Sequence, residues 1–146
     1  MTFTDAEIAY LTAQRLGRLA TVQPNGTLQA SPIGVHYNAK LKTLDVGGHN
    51  MAASQKFRNV AANGRVALVV DDIASLDPWR VRCLEIRGYG EALAEPEESA
   101  AGFDGPIIRI HPQRIISFGI DPNNPGAGKR DVRRAAADDS TGTEHP

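Results

Sequence analysis

The chain has 146 residues, of which 41% are hydrophobic and 23% charged, and its formal net charge is −1. This length and composition are typical of a single globular domain that buries its own core. Because a nearly neutral chain offers no extended basic surface, we expect neither nucleic acid nor a membrane as a partner.

The cysteine content and the first residues of the sequence bear on its compartment. Cys83 is the single cysteine, so no intramolecular disulfide can form, and its strand-like surroundings favour a small core residue over a redox nucleophile. The first residues lack the basic region and apolar run of a signal peptide. No stretch approaches the roughly 20 apolar residues that cross a bilayer. We therefore expect a cytoplasmic protein.

The first predicted element is a helix. Thr4 and Glu7 form a capping-box pattern ahead of apolar residues at helical spacing, which predicts a helix over about residues 5–15. Gly17 is expected to end it.

A hairpin is predicted next. Two extended runs, Leu19–Val22 and Leu28–Tyr37, flank the pair Asn25-Gly26. Both residues of that pair tolerate the positive φ angles of a tight turn. The two strands are therefore expected to be antiparallel neighbours.

The middle of the chain predicts a short strand at Thr43–Val46, a helix at Met51–Asn63 and a central strand at Arg65–Asp71, which is apolar on both faces. After a loop at residues 72–78, Arg80–Leu93 alternates as a long curved strand. Its glycines at 88 and 90 suit a bulge.

Two further extended pieces, Pro106–Pro112 and Arg114–Ile120, are separated by a proline. From Asp121 onward, Pro, Gly, Asn and alternating charges leave no apolar periodicity. The prediction is a mainly β protein: six to seven antiparallel strands with two or three short helices in a small barrel. Residues 1–120 are expected to form this domain and residues 121–146 a flexible C-terminal tail.

One helix start has the chemistry of a phosphate site. Ser54 and Lys56 stand together at the predicted start of the second helix, where free N–H groups and a partial positive charge favour an anion. Gly34 permits close approach of a flat ligand to the preceding strand. On its own, Lys56 with Arg58 could equally be a solvated helix face.

The order of several motifs carries a family resemblance. They are Gly-Arg-Leu-Ala-Thr-Val at 17–22, Ser-Pro-Ile-Gly-Val-His-Tyr at 31–37, Ser-x-Lys-x-x-Asn at 54–59 and Glu-Ile-Arg-Gly-Tyr-Gly-Glu-Ala at 85–92. In this order the chain resembles the pyridoxamine 5′-phosphate oxidase-like superfamily, whose fold is the FMN-binding split β-barrel of Greek-key type. It is most similar to the short actinobacterial group that uses the deazaflavin coenzyme F420.

This resemblance implies a homodimer with cofactor sites at the subunit interface, holding coenzyme F420 or, alternatively, FMN. It implies that the cofactor ring is lined by backbone groups of Ser31, Pro32, Ile33, Gly34 and Val35. It implies that the wall beside the ribityl chain is formed by Val46, Gly47, Gly48 and His49. The remaining implied roles are the phosphate for Ser54 and Lys56, support of that helix start for Asn59, and the partner subunit's site for Trp79 and Arg82.

The sequence departs from the family pattern at its phosphate cluster. True pyridoxamine phosphate oxidases carry additional Arg and Lys at positions that hold Ile33, Val35 and Gln55 here. That difference argues against a pyridoxamine substrate and, less strongly, against FMN. The resemblance therefore favours an F420-dependent reductase that transfers a hydride from C5 of the reduced deazaflavin to a conjugated small-molecule acceptor.

Other interpretations remain open. An FMN-binding oxidoreductase and a non-catalytic deazaflavin- or haem-binding protein share this fold. His36 and His49 have no Cys, Asp or Glu at ligand spacing, so no metal site is expected. Trp79 could pack at the dimer interface instead of against the cofactor. No catalytic side chain is assigned, because the cofactor would supply the hydride.

Overall fold

The computed structural model describes residues 2–124 and 126–132 of the chain. Within this part, 3₁₀ turns lie at Met51–Ala53 and Ala100–Gly102, and the helices are α1 (Asp5–Ala13) and α2 (Gln55–Ala62). The strands of the described part are β1 (Leu16–Val22), β2 (Leu28–Gly34), β3 (His36–Asn38), β4 (Thr43–Val46), β5 (Arg65–Leu76), β6 (Trp79–Leu93), β7 (Ile107–Phe118) and β8 (Ala127–Asp131). None of the described helices has the length and apolarity of a membrane span.

The strands form one antiparallel sheet in the order β2-β1-β5-β6-β7-β4-β3. Strand β8 pairs with the C-terminal part of β7. The end strands β2 and β3 are consecutive in the chain and are joined by Val35 alone. The sheet must therefore curl until its two ends meet, which confirms the predicted split barrel.

The core lies on the concave face of this sheet. Leu19, Leu68, Val70, Ile86 and Ile115 project inward from four neighbouring strands and are all almost completely buried. Each such side chain contributes about 1.5–3 kcal/mol relative to its exposed state. The close packing of this layer fixes the positions of the strands that carry the candidate site.

The predicted hairpin is confirmed, since β1 and β2 pair antiparallel around a turn in which Gly26 has a φ of 87°. The single strand predicted over Leu28–Tyr37 is wrong, because the chain leaves β2 at Val35, whose N–H donates to the carbonyl of Arg15. Gly17 lies within β1 instead of ending α1. A side chain there would lie within 2.9 Å of Val35.

Residues 72–78 are not the predicted loop. Strand β5 continues to Leu76 and turns directly into β6 at Trp79. The two pieces predicted around the proline form one strand, β7, in which Gln113 is the extra residue of a bulge opposite Arg87 and Gly88. The proline is accommodated at this bulge.

The segment after Ile120 is also more ordered than the tail predicted from composition. Ala127–Asp131 pairs with β7 as strand β8, and Val132 packs against the core. Short segments of mixed charge can form an edge strand when a long neighbouring strand offers unpaired backbone groups. The other tail residues, 125 and 133–146, lie outside the described residues.

Candidate functional site

The start of α2 presents unpaired N–H groups. Ser54 caps the helix: its Oγ accepts a hydrogen bond from the N–H of Phe57 at 3.2 Å and donates one to the carbonyl of Met51 at 2.6 Å. The N–H groups of Gln55 and Lys56 have no partner among the described residues. Together with the positive end of the helix dipole, they form a small anion site.

Two cations stand beside these groups. Lys56 is half-buried and forms no ion pair in the part of the chain that the structure describes. Arg58 folds back toward the helix start, where its Nη1 donates to the carbonyl of Ala53 at 2.6 Å and its Nη2 to Oε1 of Gln55 at 2.8 Å. Sequence reasoning treated Arg58 only as a surface residue. The sequence indication of this contact was the three-residue spacing between Gln55 and Arg58, which places the two side chains on one face of the helix.

Asn59 attaches α2 to the sheet. Its side chain is 0% exposed, and its Nδ2 donates to Oγ1 of Thr21 at 3.0 Å and to Oε1 of Gln29 at 3.1 Å. Its Oδ1 accepts from Nε2 of Gln55 at 2.7 Å. The N-terminal end of α2 is therefore held at a fixed height above β1 and β2.

Strand β2 offers a free backbone edge beside this helix. Among the described residues it pairs only with β1, so alternate N–H and C=O groups along its other edge are open. Ile33 and Val35 are buried, and the N–H of Val35 already donates to the carbonyl of Arg15, so the open positions of this edge are the alternate residues Pro32 and Gly34. The Oγ of Ser31 is buried without a hydrogen-bond partner, and Pro32 is exposed.

The segment after β4 forms the opposite wall. Val46 is fully buried, so its side chain cannot contact a ligand. The space that a side chain at Gly47 would need is occupied by Phe103, whose ring would lie 2.6 Å from an added Cβ. Gly48 and His49 are exposed. They are the members of the predicted wall that a ligand can reach.

Phe103 is a site residue that sequence reasoning missed. Its ring packs edge-on against His36 with centroids 4.9 Å apart, and His36 in turn lies 3.5 Å from the Cβ position of Gly34. The aromatic pair thus connects the end of β2 to the glycines after β4. His36 belongs to no group of three or more potential metal ligands among the residues described.

A buried ion pair holds the loop that carries Phe103. Asp45 accepts from Nε of Arg109 at 3.1 Å, from the N–H of Ala100 at 2.9 Å and from Asn38 at 3.0 Å. Burial alone would raise the pKa of Asp45, but these hydrogen bonds outweigh it and hold that pKa below its usual value. Asp45 is therefore a charged anchor for the segment before Phe103.

These contacts arrange the segments 31–35, 46–49 and 54–59 around the split between the ends of the sheet. The orphaned hydroxyl of Ser31, the open edge of β2 and the cationic start of α2 are the groups that a flat, phosphate-bearing molecule requires. Lys56 would hold the phosphate, and the backbone of β2 would face the ring. The residues present therefore fit a flavin or deazaflavin.

Trp79 and Arg82 lie elsewhere on the same chain. Arg82 donates from Nε to Oδ1 of Asp72 at 2.9 Å, and its guanidinium lies 5.2 Å from the ring centre of Tyr10. The hydrogen bond from Arg82 lowers the pKa of Asp72. No hydrogen bond or ring contact within the described residues joins this pair to α2. Within one chain, the structure does not bring them to the site around the split.

Comparison with known proteins shows the family to which the chain belongs. The family described as pyridoxamine 5′-phosphate oxidase matches residues 3–140. The chain belongs to this family, and it is an oxidoreductase of the pyridoxamine 5′-phosphate oxidase-like type.

A curated relative has a named activity. The chain is 42% identical over 134 residues to the 5a,11a-dehydrotetracycline/5a,11a-dehydrooxytetracycline reductase of Streptomyces rimosus subsp. rimosus, covering 90% of this chain and 94% of that protein. Identity at this level over nearly the whole of both chains shows that the present chain is an enzyme.

Two solved structures share the fold. One, described as an F420 reductase, is 27% identical with a TM-score of 0.54 and covers 71% of this chain and 90% of its own. The other is a pyridoxamine 5′-phosphate oxidase-related, FMN-binding protein from Nostoc punctiforme, 9% identical with a TM-score of 0.61, covering 89% of this chain and 96% of its own. The second likeness concerns the fold alone.

Proposed function

We propose that the protein is a reductase that uses reduced coenzyme F420 to deliver a hydride to a conjugated small-molecule acceptor. The observation that carries this proposal is the pairing of a cationic helix start with an open strand edge around the split of the sheet. The curated reductase relative and the F420 reductase structure support it. So does the placement of Ile33, Val35 and Gln55 where pyridoxamine phosphate oxidases carry basic residues.

The proposed roles of the chain's residues follow from their accessible groups. The backbone of residues 31–35 orients the ring, and Gly48 with His49 borders the chain that leads to the phosphate. Lys56 and the N–H groups at the start of α2 hold the phosphate, with Ser54 acting through the helix cap. When bound, the reduced deazaflavin supplies the hydride from its C5 atom.

In the proposed reaction the role of the protein is to position the acceptor against the cofactor ring. The hydride adds to the electron-poor end of a conjugated double bond in the acceptor, and a proton from water completes the reduction. In this reaction no side chain needs to carry a formal acid or base role. Excluding bulk water from the ring and aligning the acceptor are the contributions of the chain.

We propose further that two copies assemble through the convex face of the sheet. The register of the strand pairing places one residue from each of five strands in a single row on this face. These residues are Pro32, Arg18, Val69, Glu85 and Ile116. Leu16 and Leu28, on the same face, are both largely exposed. Apolar side chains alternate on this face with the charged Arg18 and Glu85, a mixed surface of the kind that symmetric dimers bury, and Trp79 and Arg82 of one subunit would then complete the site of the other.

The curated relative supports a particular class of acceptor. That protein is named for dehydrotetracyclines. For the present chain we propose a conjugated acceptor built from fused rings.

The test is equilibrium binding of purified protein to coenzyme F420 and, in parallel, to FMN, followed by fluorescence. Preferential binding of F420 is expected, with Lys56→Gln weakening it about tenfold, which corresponds to about 1.4 kcal/mol. Lys40→Gln is the matched control, since Lys40 pairs with Glu98 at 2.6 Å on the surface. Preference for FMN would make the protein a flavoenzyme, and binding of neither would overturn the proposal.

A further inference from the structure

A second concave surface lies away from α2. It is a groove of about 720 Å³ between the β5–β6 hairpin and the segment that follows β7. Its apolar lining includes Trp79, Val81, Phe118, Ile120 and Pro122. We call it the hairpin groove.

The walls of the hairpin groove are aromatic and open. Trp79 is 65% exposed and Phe118 48% exposed, although both are large apolar side chains that proteins usually cover. Their rings offer flat surfaces for stacking against a planar molecule. A flexible aliphatic ligand would gain less from such walls than a rigid fused-ring system.

The charges at the hairpin groove favour an anionic or enolic ligand. Arg80 is exposed at the groove and forms no ion pair among the described residues. Arg82, by contrast, is committed to Asp72. The acidic residue of the lining, Asp121, already accepts a hydrogen bond from the N–H of Asn123 at 2.9 Å. Arg80 is therefore the cation that remains for a ligand.

We infer that the hairpin groove is the acceptor subsite, and that it takes a planar fused-ring molecule whose enolate or phenolate oxygen binds Arg80. This inference rests on the proposed function and adds to it the place and the chemistry of acceptor binding. Trp79, expected from the family resemblance to contact the cofactor, instead contacts the acceptor. In the proposed dimer, the hairpin of one subunit brings the acceptor to the cofactor ring of the other.

The chain contains an intrinsic fluorescent probe of the hairpin groove. Trp79 is the single tryptophan of the sequence, so intrinsic tryptophan emission reports on the hairpin groove alone. The experiment titrates cofactor-free protein with tetracycline, a fused-ring enol, and corrects the emission against free N-acetyltryptophanamide. Saturable quenching is expected, and quenching that rises only in proportion to tetracycline would overturn the inference.

Two variants locate the binding. Arg80→Gln is expected to weaken tetracycline binding about five- to tenfold, a change of about 1–1.4 kcal/mol. Arg65→Gln, an exposed arginine on the first residue of β5, is the matched control and should alter the affinity less than about twofold. Equal affinities in these two variants would overturn the inference. Because both positions are exposed, neither substitution threatens folding.

The inference and the proposed function can fail separately. Coenzyme F420 affinity is measured on the same Arg80→Gln protein and should be unchanged. Saturable tetracycline binding without F420 binding would remove the cofactor from the proposal and leave a fused-ring site. F420 binding with no saturable quenching of Trp79 would retain the reductase and refute the acceptor subsite.

Discussion

The guanidinium of Arg130 on β8 donates to the carboxylate of Glu7 on α1, with Nη1 and Oε2 2.9 Å apart, and so joins the last described strand to the first helix. Glu7 is 3% exposed and also accepts the N–H of Thr4 at 2.9 Å within its capping box. The hydrogen bond that Arg130 donates to Glu7 raises the pKa of Arg130, so its guanidinium stays charged. One carboxylate therefore serves both a helix cap and the docking of the C-terminal strand.

Arg130→Gln is predicted to destabilise the protein by about 2–3 kcal/mol, because it leaves the buried carboxylate of Glu7 without its cation. Arg114→Gln is the matched control, since its partner Asp131 is 80% exposed and the loss should stay within about 0.5 kcal/mol. Urea unfolding measures both, and hydrogen exchange of the β8 amides locates the effect. Equal losses in the two variants would mean that the buried pair is unimportant.

Asp45→Asn is predicted to cost about 3–5 kcal/mol at neutral pH, because Arg109 would remain buried without a counter-charge. The lowered pKa of Asp45 also gives a pH dependence. A depressed carboxyl pKa stabilises the fold above the unfolded value of about 3.9, and this contribution is lost as the pH falls below it. Thermal unfolding from about pH 7 to pH 3 should show a shallower acid loss in the variant. Parallel curves would contradict the prediction.

Gly47→Ala is predicted to destabilise the fold by about 1–3 kcal/mol, because the new Cβ would overlap the ring of Phe103. In a Phe103→Leu background the same change should cost less than half as much, which a double-mutant cycle measures. Gly48→Ala is the contrasting variant. Its Cβ would meet only Met51 at 3.8 Å, so stability should be retained while cofactor affinity falls.

Ser54→Ala is predicted to lower stability by about 1 kcal/mol through loss of the helix cap. Its effect on cofactor affinity should be smaller than that of Lys56→Gln, since the Ser54 hydroxyl is already engaged with Phe57 and Met51. Fluorescence titration of both variants compares them directly. A greater affinity loss for Ser54→Ala would assign the phosphate to its hydroxyl.

Val69→Arg is predicted to convert a dimer into monomers without loss of fold. Val69 lies at the centre of the convex row, half-exposed in one chain, so a long cation is tolerated in the monomer and excluded from a packed interface. Sedimentation velocity gives the mass, and circular dichroism verifies the fold. An unchanged mass would place the interface elsewhere or remove it.

Local signals in the sequence were sufficient for most of the architecture. The capping box at Thr4, the Asn25-Gly26 turn and the alternation of β6 each act over a few residues, and each appears as expected. The fold class followed from the order of such elements, and the oxidoreductase family from the resemblance of the motifs that they carry. Strand β8 could not be predicted, since its stability comes from a salt bridge to Glu7 and from the edge of β7.

The candidate site was less predictable because burial decides which groups are accessible. Val46 and Gly47 follow one another in the motif, yet one faces the core and the other is covered by Phe103. Phe103 lies in an acidic loop without periodicity, and its position depends on Asp45 and Arg109 at distant points in the chain. Such long-range placement has no local sequence signature.

The unpaired edge of β2 has a consequence for how the protein behaves before any ligand binds. A row of open backbone donors and acceptors invites strand addition from other chains and hence aggregation. Pro32 stands within that row and has no N–H to donate, which interrupts the ladder that an incoming strand would need. The edge can thus accept a small planar molecule while resisting another polypeptide. This gives the proline a protective role in keeping the empty enzyme in solution.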